Sequence, residues 1–281
     1  MLVLDIGGSF IKYGLANEKG ELLPGTTDQV ASNADGDYEA FLDILRHILH
    51  LNQQKMHFTK ASVSIPGPFD YFHGISLMQH KFKALYQKSI SLPFEEEGIE
   101  VCYLHDSTAF MLGEASERDG SEACGVMLGT GLGFSMMRQN RVCVNQTQTP
   151  AFVLWNMPWR DGIAEDYVSK RAILSLYGKS DASVRAIAAA AQSGDEKAQR
   201  VFATVGENLS GILQKILPEL GCGSLVLGGQ ISKSADLFHL DIPVPWRVCE
   251  APEETALRGA GRFAALGRDA CVCEMDTIRL P

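Results

Sequence analysis

Twice in this chain an apolar run breaks at a cluster of glycines and resumes at once as a second apolar run. The first instance, residues 4–17, reads LDIGGSFIKYGLAN, and the second, residues 128–134, reads LGTGLGF. Strand, glycine turn, strand is a hairpin. It excludes a Walker A loop, which requires G-x-x-x-x-G-K-[ST] and a following helix. Glycine lets backbone N–H groups approach an anion closely. In the first turn Gly7 and Gly8 supply that backbone, Ser9 adds a hydroxyl donor, Lys12 a positive charge, and Asp5 a carboxylate suited to hydrated Mg²⁺. In the second, Gly129, Thr130, Gly131 and Gly133 repeat the layout. An ordinary tight turn explains either one alone, with Gly131 and Gly133 taking positive φ. Two of the same layout favour a pair of phosphate-binding hairpins. A third turn, VLGGQIS, offers Gly228 and Gly229 as a flat backbone against a planar base, or as a simple strand-to-loop turn.

Between these turns strands and helices alternate in blocks. LVLDI, IKYGLAN and GELL read as strands, and GDYEAFLDILRHILHLNQ as a helix behind an Asp37 N-cap. KASVSIPGP is a strand stopped by Pro-Gly-Pro, VCYLHD a strand, and TAFMLGEASE a helix. ACGVMLG and FSMMRQNRV are strands around the second glycine turn. The stretch 163–220 is mostly helical, SLVLGGQIS returns to a strand, and TALRGAGRFAALG closes with a helix. That alternation is an α/β pattern. No Gly/Ser or Pro-rich linker separates domains, so any boundary lies within a compact body, and it is expected near Asp106.

LHDSTAF sets His105 and Asp106 where a strand ends and a helix begins. Asp106 is there either an N-cap or a general base facing a hydroxyl, since α/β clefts open at the carboxyl ends of strands.

The net charge of −9 argues against a partner that needs a basic face, so no nucleic acid is expected. No apolar run is long enough to span a bilayer, and Asp5 interrupts the first strand where a signal peptide would be apolar; no membrane and a cytoplasmic location are expected. The seven cysteines, Cys102, Cys124, Cys143, Cys222, Cys249, Cys271 and Cys273, are odd in number and include no C-x-x-C. Neither a disulfide framework nor a zinc ribbon follows, and thiols inside VCYL and ACGVML read as buried and free. CVC at 271–273 offers a metal two thiols without further partners.

In the order DIGGSFIKYGLAN, SIPGPFD, HDSTAFMLGEA, GVMLGTGLGF, LVLGGQIS and ALRGAGRFAAL, the chain resembles the ROK family of sugar kinases and repressors over nearly its whole length. The resemblance implies an α/β, two-domain actin-like ATPase (ribonuclease H-like) fold, with ATP and sugar meeting in an interdomain cleft. The domains would be 1–105, completed by the helix around 255–267, and 106–281. The two hairpins would hold ATP phosphates, with Mg²⁺ at Asp5, directly or through water, and Gly228 and Gly229 would lie by the adenosine. Asp106 matches the catalytic base. Gly67, His80, His105, Asp106 and Glu165 fall at or near sugar-contact positions, His80 reading equally as a surface residue and Glu165 as a solvated charge near a helix start. A homodimer is common among similar proteins. The repressor branch carries a preceding helix-turn-helix that this sequence lacks, which favours the kinase.

Three departures accompany the resemblance. His105 replaces the usual Asn before the catalytic Asp. AFVLW, with Phe152 and Trp155, replaces a Glu-x-Gly-His segment that contacts sugar. WNMPWRDGIAEDY replaces a zinc-binding cysteine cluster, so no structural zinc is expected. Nucleotide machinery is retained and the sugar pocket is altered, which makes phosphorylation of a hexose, amino sugar or glycoside the first expectation. A non-catalytic carbohydrate or nucleotide sensor of the same fold is the alternative, and an ATPase driving a partner protein a third.

Overall fold

The computed structural model describes residues 1–79, 81–115 and 122–280. In chain order it begins with β1 (Leu2–Ile6), β2 (Phe10–Leu15), β3 (Asp28–Ala31), α1 (Tyr38–Gln53), β4 (Lys60–Ile65), β5 (Phe69–Asp70), β6 (Ile75–Ser76), α2 (Leu92–Glu96), β7 (Glu100–His105) and α3 (Asp106–Ala115). There follow β8 (Glu122–Leu128), β9 (Leu132–Arg138), β10 (Arg141–Val144), β11 (Pro158–Trp159), β12 (Gly162–Ile163), α4 (Ala164–Tyr167), α5 (Lys170–Tyr177), α6 (Val184–Gln192) and α7 (Glu196–Leu220). The last elements are β13 (Ser224–Gly228), β14 (Trp246–Val248), α8 (Thr255–Leu266), α9 (Arg268–Cys271) and β15 (Val272–Glu274).

The chain forms two units. Unit 1 comprises Met1–Asp119, Asn140–Pro150 and Glu253–Asp276, and unit 2 comprises Gly120–Gln139, Ala151–Pro252 and Thr277–Pro281. In unit 1 the sheet runs β3-β2-β1-β4-β7, with β1 antiparallel to β2 and parallel to β4, itself parallel to β7. Alternation along β1 sends Leu2, Leu4 and Ile6 into a core shared with Phe41, Leu45 and Ile48 of α1. Each such side chain, fully buried, contributes about 1.5–3 kcal/mol. Asp37 caps α1 as expected, its side chain accepting the Ala40 N–H at 2.8 Å. The parallel register pairs Asp5 with Ser64 and Ile65 with His105, so the carboxyl ends of three strands finish level.

Helix α3 packs closely on α8, and small residues set the distance. A Cβ on Gly259 would strike the Ala109 carbonyl, and one on Gly113 the Thr255 carbonyl. Unit 1 therefore keeps β7 and α3 together.

In unit 2, β13 lies parallel to both β8 and β14, and β8 forms an antiparallel hairpin with β9. The 25-residue α7 starts at an Asp195 N-cap and ends at Gly221, whose φ of 65° is the left-handed cap glycine favours. Its buried stripe includes Val201, Phe202, Val205, Leu209, Ile212 and Ile216.

Three sequence expectations are corrected. GELL is a single bridge behind a turn at 18–20 rather than a strand. The Asn17 side chain accepts the N–H groups of Lys19 and Glu21, Gly20 takes a φ of 83°, and only Leu22 makes a bridge, to Ala16. The third strand of that sheet is instead the largely exposed Asp28–Ala31. FSMMRQNRV is not one strand: Gln139 and Asn140 are both left-handed, with φ of 50° and 61°, and end β9 before β10. Nor is Cys124 a free thiol. Cys222 lies just before β13, which pairs with β8, and Cys124 and Cys222 form a disulfide with their Cα atoms 6.0 Å apart.

Candidate active site

The carboxyl ends of β1, β4 and β7 gather Asp5, Ser64, His105 and Asp106 on unit 1, where ligands of parallel α/β sheets bind. Asp5 faces Lys12 across the β1–β2 hairpin and accepts a hydrogen bond from Ser64 Oγ at 3.0 Å. The hairpin closes through the Gly7 N–H to the Phe10 carbonyl at 2.9 Å. Ser32 braces it from β3's end: its hydroxyl donates to the Gly8 carbonyl at 2.8 Å and its N–H to the Ser9 carbonyl at 3.0 Å. With those carbonyls engaged, the Gly8 and Ser9 N–H groups are left without a hydrogen-bond acceptor among the described residues. That is the arrangement an anion-binding turn requires.

Asp106 opens α3. Its Oδ1 accepts the Ser107 N–H at 2.7 Å and lies 2.9 Å from His105 Nδ1. Its side chain keeps 44% of its surface open, enough for a substrate hydroxyl to reach the carboxylate. Crowding by its surroundings raises the carboxyl pKa, but the charge and hydrogen bond of His105, with Lys81 and the Ser107 N–H, outweigh it and bring it down to about 2. Asp5 moves the other way. Burial raises its pKa, Asp106 adds to the rise, and Lys12 and Ser64 oppose it. Two carboxyls driven apart in this manner are a common mark of divided roles in a site.

Gly67 and Tyr71 complete this face. A Cβ on Gly67 would stand 3.4 Å from the Tyr71 hydroxyl and 3.5 Å from His105 Cδ2. Tyr71 is buried and donates to the Ile65 carbonyl at 3.1 Å; burial first, and then the Asp106 charge, push its phenol well above its ordinary pKa.

On unit 2, β8 and β13 end side by side, with Met127 opposite Gly228. The second and third glycine turns are therefore neighbours: Gly229, at φ 81°, abuts the Leu128 carbonyl so closely that a Cβ would collide with it. Gly131 and Gly133 do not take positive φ. At Gly131 the missing side chain makes room for the Glu165 carboxylate, which a Cβ would meet. Glu165, at the start of α4, reaches into the second turn and accepts the Leu132 N–H at 2.9 Å. Next to Thr130 opens a groove of about 560 Å³, lined among others by Lys170, Arg171, Ser175, Gly178 and Lys179. Arg171 is engaged by Asp166 at 2.8 Å, so Lys170 and Lys179 are the cations of that wall best placed for an anion.

Unit 1 thus gathers the sequence-derived candidates Asp5, Gly7, Gly8, Ser9, Lys12, Gly67, His105 and Asp106. Unit 2 carries Gly129, Thr130, Gly131, Gly133, Glu165, Gly228 and Gly229. His80 lies outside the described residues. Phe152 is 4% exposed and packs edge-on against Phe134, a core ring, whereas Trp155 is exposed. Ser64, Tyr71 and Lys81 were missed. Ser64 was the most accessible of them, as the last hydroxyl before the strand-ending Pro-Gly-Pro.

Mg²⁺ commonly binds through one or two carboxylates plus phosphate oxygens and water. Asp5 fits that role, since a cation would offset the burial that raises its pKa. No group of three or more His, Cys, Asp and Glu side chains converges among the described residues, so the fit is to an ion shared with a phosphate, not to a protein cage. No described helix is long and apolar enough to cross a membrane.

No protein-family model matches the chain, and no curated protein does. Solved structures do. A ROK family glucokinase from Streptomyces griseus, in complex with glucose and AMPPNP, superposes with a TM-score of 0.73 at 19% identity, over 95% of this chain and 99% of that one. ROK hexokinase from Thermus thermophilus gives 0.73 at 20% identity, over 95% and 98%. A ROK family transcriptional regulator, a homologue of the E. coli MLC protein, gives 0.73 at 18% identity, over 95% and 79%. What this chain shares with all three is the fold, the two-domain actin-like ATPase architecture that the family resemblance implied.

Proposed function

We propose that this protein is an ATP-dependent kinase that phosphorylates a sugar hydroxyl, with Asp106 as general base. The observation that carries the proposal is the Asp106 carboxylate, ionised and open at the end of β7, on the same strand ends as the Asp5–Lys12 hairpin. Supporting it, the Streptomyces griseus glucokinase of the same fold binds glucose and an ATP analogue.

In this proposal Asp106 accepts the proton of the acceptor hydroxyl as its oxygen attacks the γ-phosphorus and ADP departs. A carboxyl near 2 is a weak base. Phosphoryl transfer tolerates that, because its loose transition state leaves proton removal late and draws mainly on positioning and charge stabilisation. His105 and the Ser107 N–H fix the carboxylate, and Gly67 leaves room beside it for the sugar. The N–H groups of Gly8 and Ser9, the Ser9 hydroxyl and Lys12 hold phosphate oxygens. Gly129, Thr130, Gly131 and Gly133 serve the phosphates from the second turn, and Gly228 and Gly229 flank the adenosine. Asp5 holds Mg²⁺, which when bound neutralises charge on the transferred group. Glu165 contacts the sugar only by giving up or sharing its bond to the Leu132 N–H.

A second reading, a sugar-binding protein without turnover, is favoured by the regulator that shares the fold. Phosphorus NMR of the protein with Mg-ATP and a mixture of hexoses, amino sugars and β-glucosides separates the two. The kinase yields ADP and a new phosphomonoester resonance. Sugar binding by calorimetry with unchanged ATP resonances establishes the second reading instead.

A further inference from the structure

Outside the candidate site, strands β10 and β15 of unit 1 pair in parallel with Cys143 directly opposite Cys273. The two sulfurs are 3.4 Å apart, closer than the 3.8 Å from the Cys273 sulfur to the Arg141 carbonyl. Neighbouring strands run about 4.8 Å apart, within the roughly 4.4–6.8 Å between Cα atoms that a disulfide spans. The pair is asymmetric: Cys143 is fully buried, while Cys273 is partly exposed. Other thiols of the unit lack this arrangement. Cys271 is buried and directed at the Arg262 carbonyl at 3.8 Å, and Cys102 at the Ala61 carbonyl at 3.6 Å. The CVC motif therefore does not act as a chelating pair; the partner of Cys273 lies across the sheet.

We propose that Cys143 and Cys273 are a redox-modifiable dithiol, which peroxide converts to a cross-strand disulfide. Cys273, the accessible sulfur, attacks the peroxide oxygen as thiolate; the O–O bond breaks, hydroxide leaves, and Cys273 becomes a sulfenic acid. The Cys143 thiol then attacks that sulfur, the S–O bond breaks, and water leaves with the Cys143 proton. Two thiols are oxidised and one peroxide is reduced to water. The bond joins residues 130 positions apart in sequence, a span that includes residues 151–252 of unit 2. So long a loop restricts the unfolded chain strongly. It also pins β15, which the Met275 N–H to Val144 carbonyl bond extends at 2.9 Å, to β10.

The test is peroxide treatment of the full chain, alkylation of remaining thiols, and non-reducing peptide mapping. The expected result is a Cys143–Cys273 cross-linked peptide, reversed by dithiothreitol, and a thermal midpoint raised by roughly 5 °C or more. Cys273→Ser should lose both the peptide and the shift, while Cys102→Ser keeps both. Cys273 recovered as sulfinic acid without a cross-linked peptide, or a shift that persists in Cys273→Ser, would overturn the proposal. Mapping distinguishes this bond from Cys124–Cys222, and the half-exposed Cys273 carries the test should a buried Cys143→Ser protein not fold.

Discussion

His105 Nδ1 stands 2.9 Å from Asp106 Oδ1, and the Ser107 N–H donates to that same oxygen at 2.7 Å. One carboxylate oxygen is thereby held by the protein, and the other is the one a proposed acceptor hydroxyl would reach. The position before the catalytic Asp is usually Asn in the family that the sequence resembles, so here an imidazole performs the holding.

Removing that imidazole should release the Asp106 carboxyl from its low value of about 2 toward the usual value of about 3.9. A carboxyl whose pKa is depressed by folding contributes stability above its unfolded pKa and loses it as pH falls through the folded value. The stability difference between wild type and His105→Ala should therefore be larger near pH 5 than near pH 2. Urea midpoints at a series of pH values measure it. A difference that stays constant with pH would show that His105 acts by packing alone.

Asp5 carries the opposite sign. Its pKa is raised by burial, so folding is helped while it is protonated and the help is lost as pH rises through the raised value. Asp5→Asn should then be as stable as wild type near pH 7, or more so, while Mg-nucleotide affinity falls at least tenfold. Thermal scans and calorimetric titration with Mg-ATP report the two effects. A strongly destabilised variant would make Asp5 a structural residue instead.

Gly259→Ala should destabilise unit 1 by about 1–3 kcal/mol, the usual cost of overpacking, because the new methyl meets the Ala109 carbonyl. As α3 begins with Asp106, the shift should also lower kcat. Chemical denaturation with steady-state kinetics would reveal it; an unchanged midpoint would mean that α3 and α8 separate at little cost.

Glu165 is expected to brace the second glycine turn. Glu165→Gln keeps an oxygen for the Leu132 N–H, whereas Glu165→Ala removes it. Nucleotide KM should rise in the alanine variant, by about fivefold to tenfold for one lost charge-assisted bond, and little in the glutamine variant. Equal damage from both would point to a role for the charge itself.

Local chemistry made much of this legible. Asp37 before an apolar helical repeat gave α1, and the glycine turns between apolar runs gave both hairpins and the strand ends that carry Asp5 and Asp106. What stayed hidden depends on distance along the chain. Cys124 and Cys222 are 98 residues apart and meet only because β13, which Cys222 precedes, pairs with β8. The polar DQVA has no apolar alternation to announce an edge strand. Phe152 looked available to a sugar because its position matched a contact, whereas the facing Phe134 draws it into the core. The Glu165 bond to Leu132 spans 33 residues and has no sequence signature.

The central claim is that Asp106 takes the proton of a sugar hydroxyl, and its most direct test is sugar-dependent ADP release from Mg-ATP by wild type and Asp106→Asn. The account predicts release with at least one sugar of the panel, and a kcat lower by about two to four orders of magnitude in the variant with its fold intact. Sugar-dependent release at near wild-type rate in Asp106→Asn would contradict it.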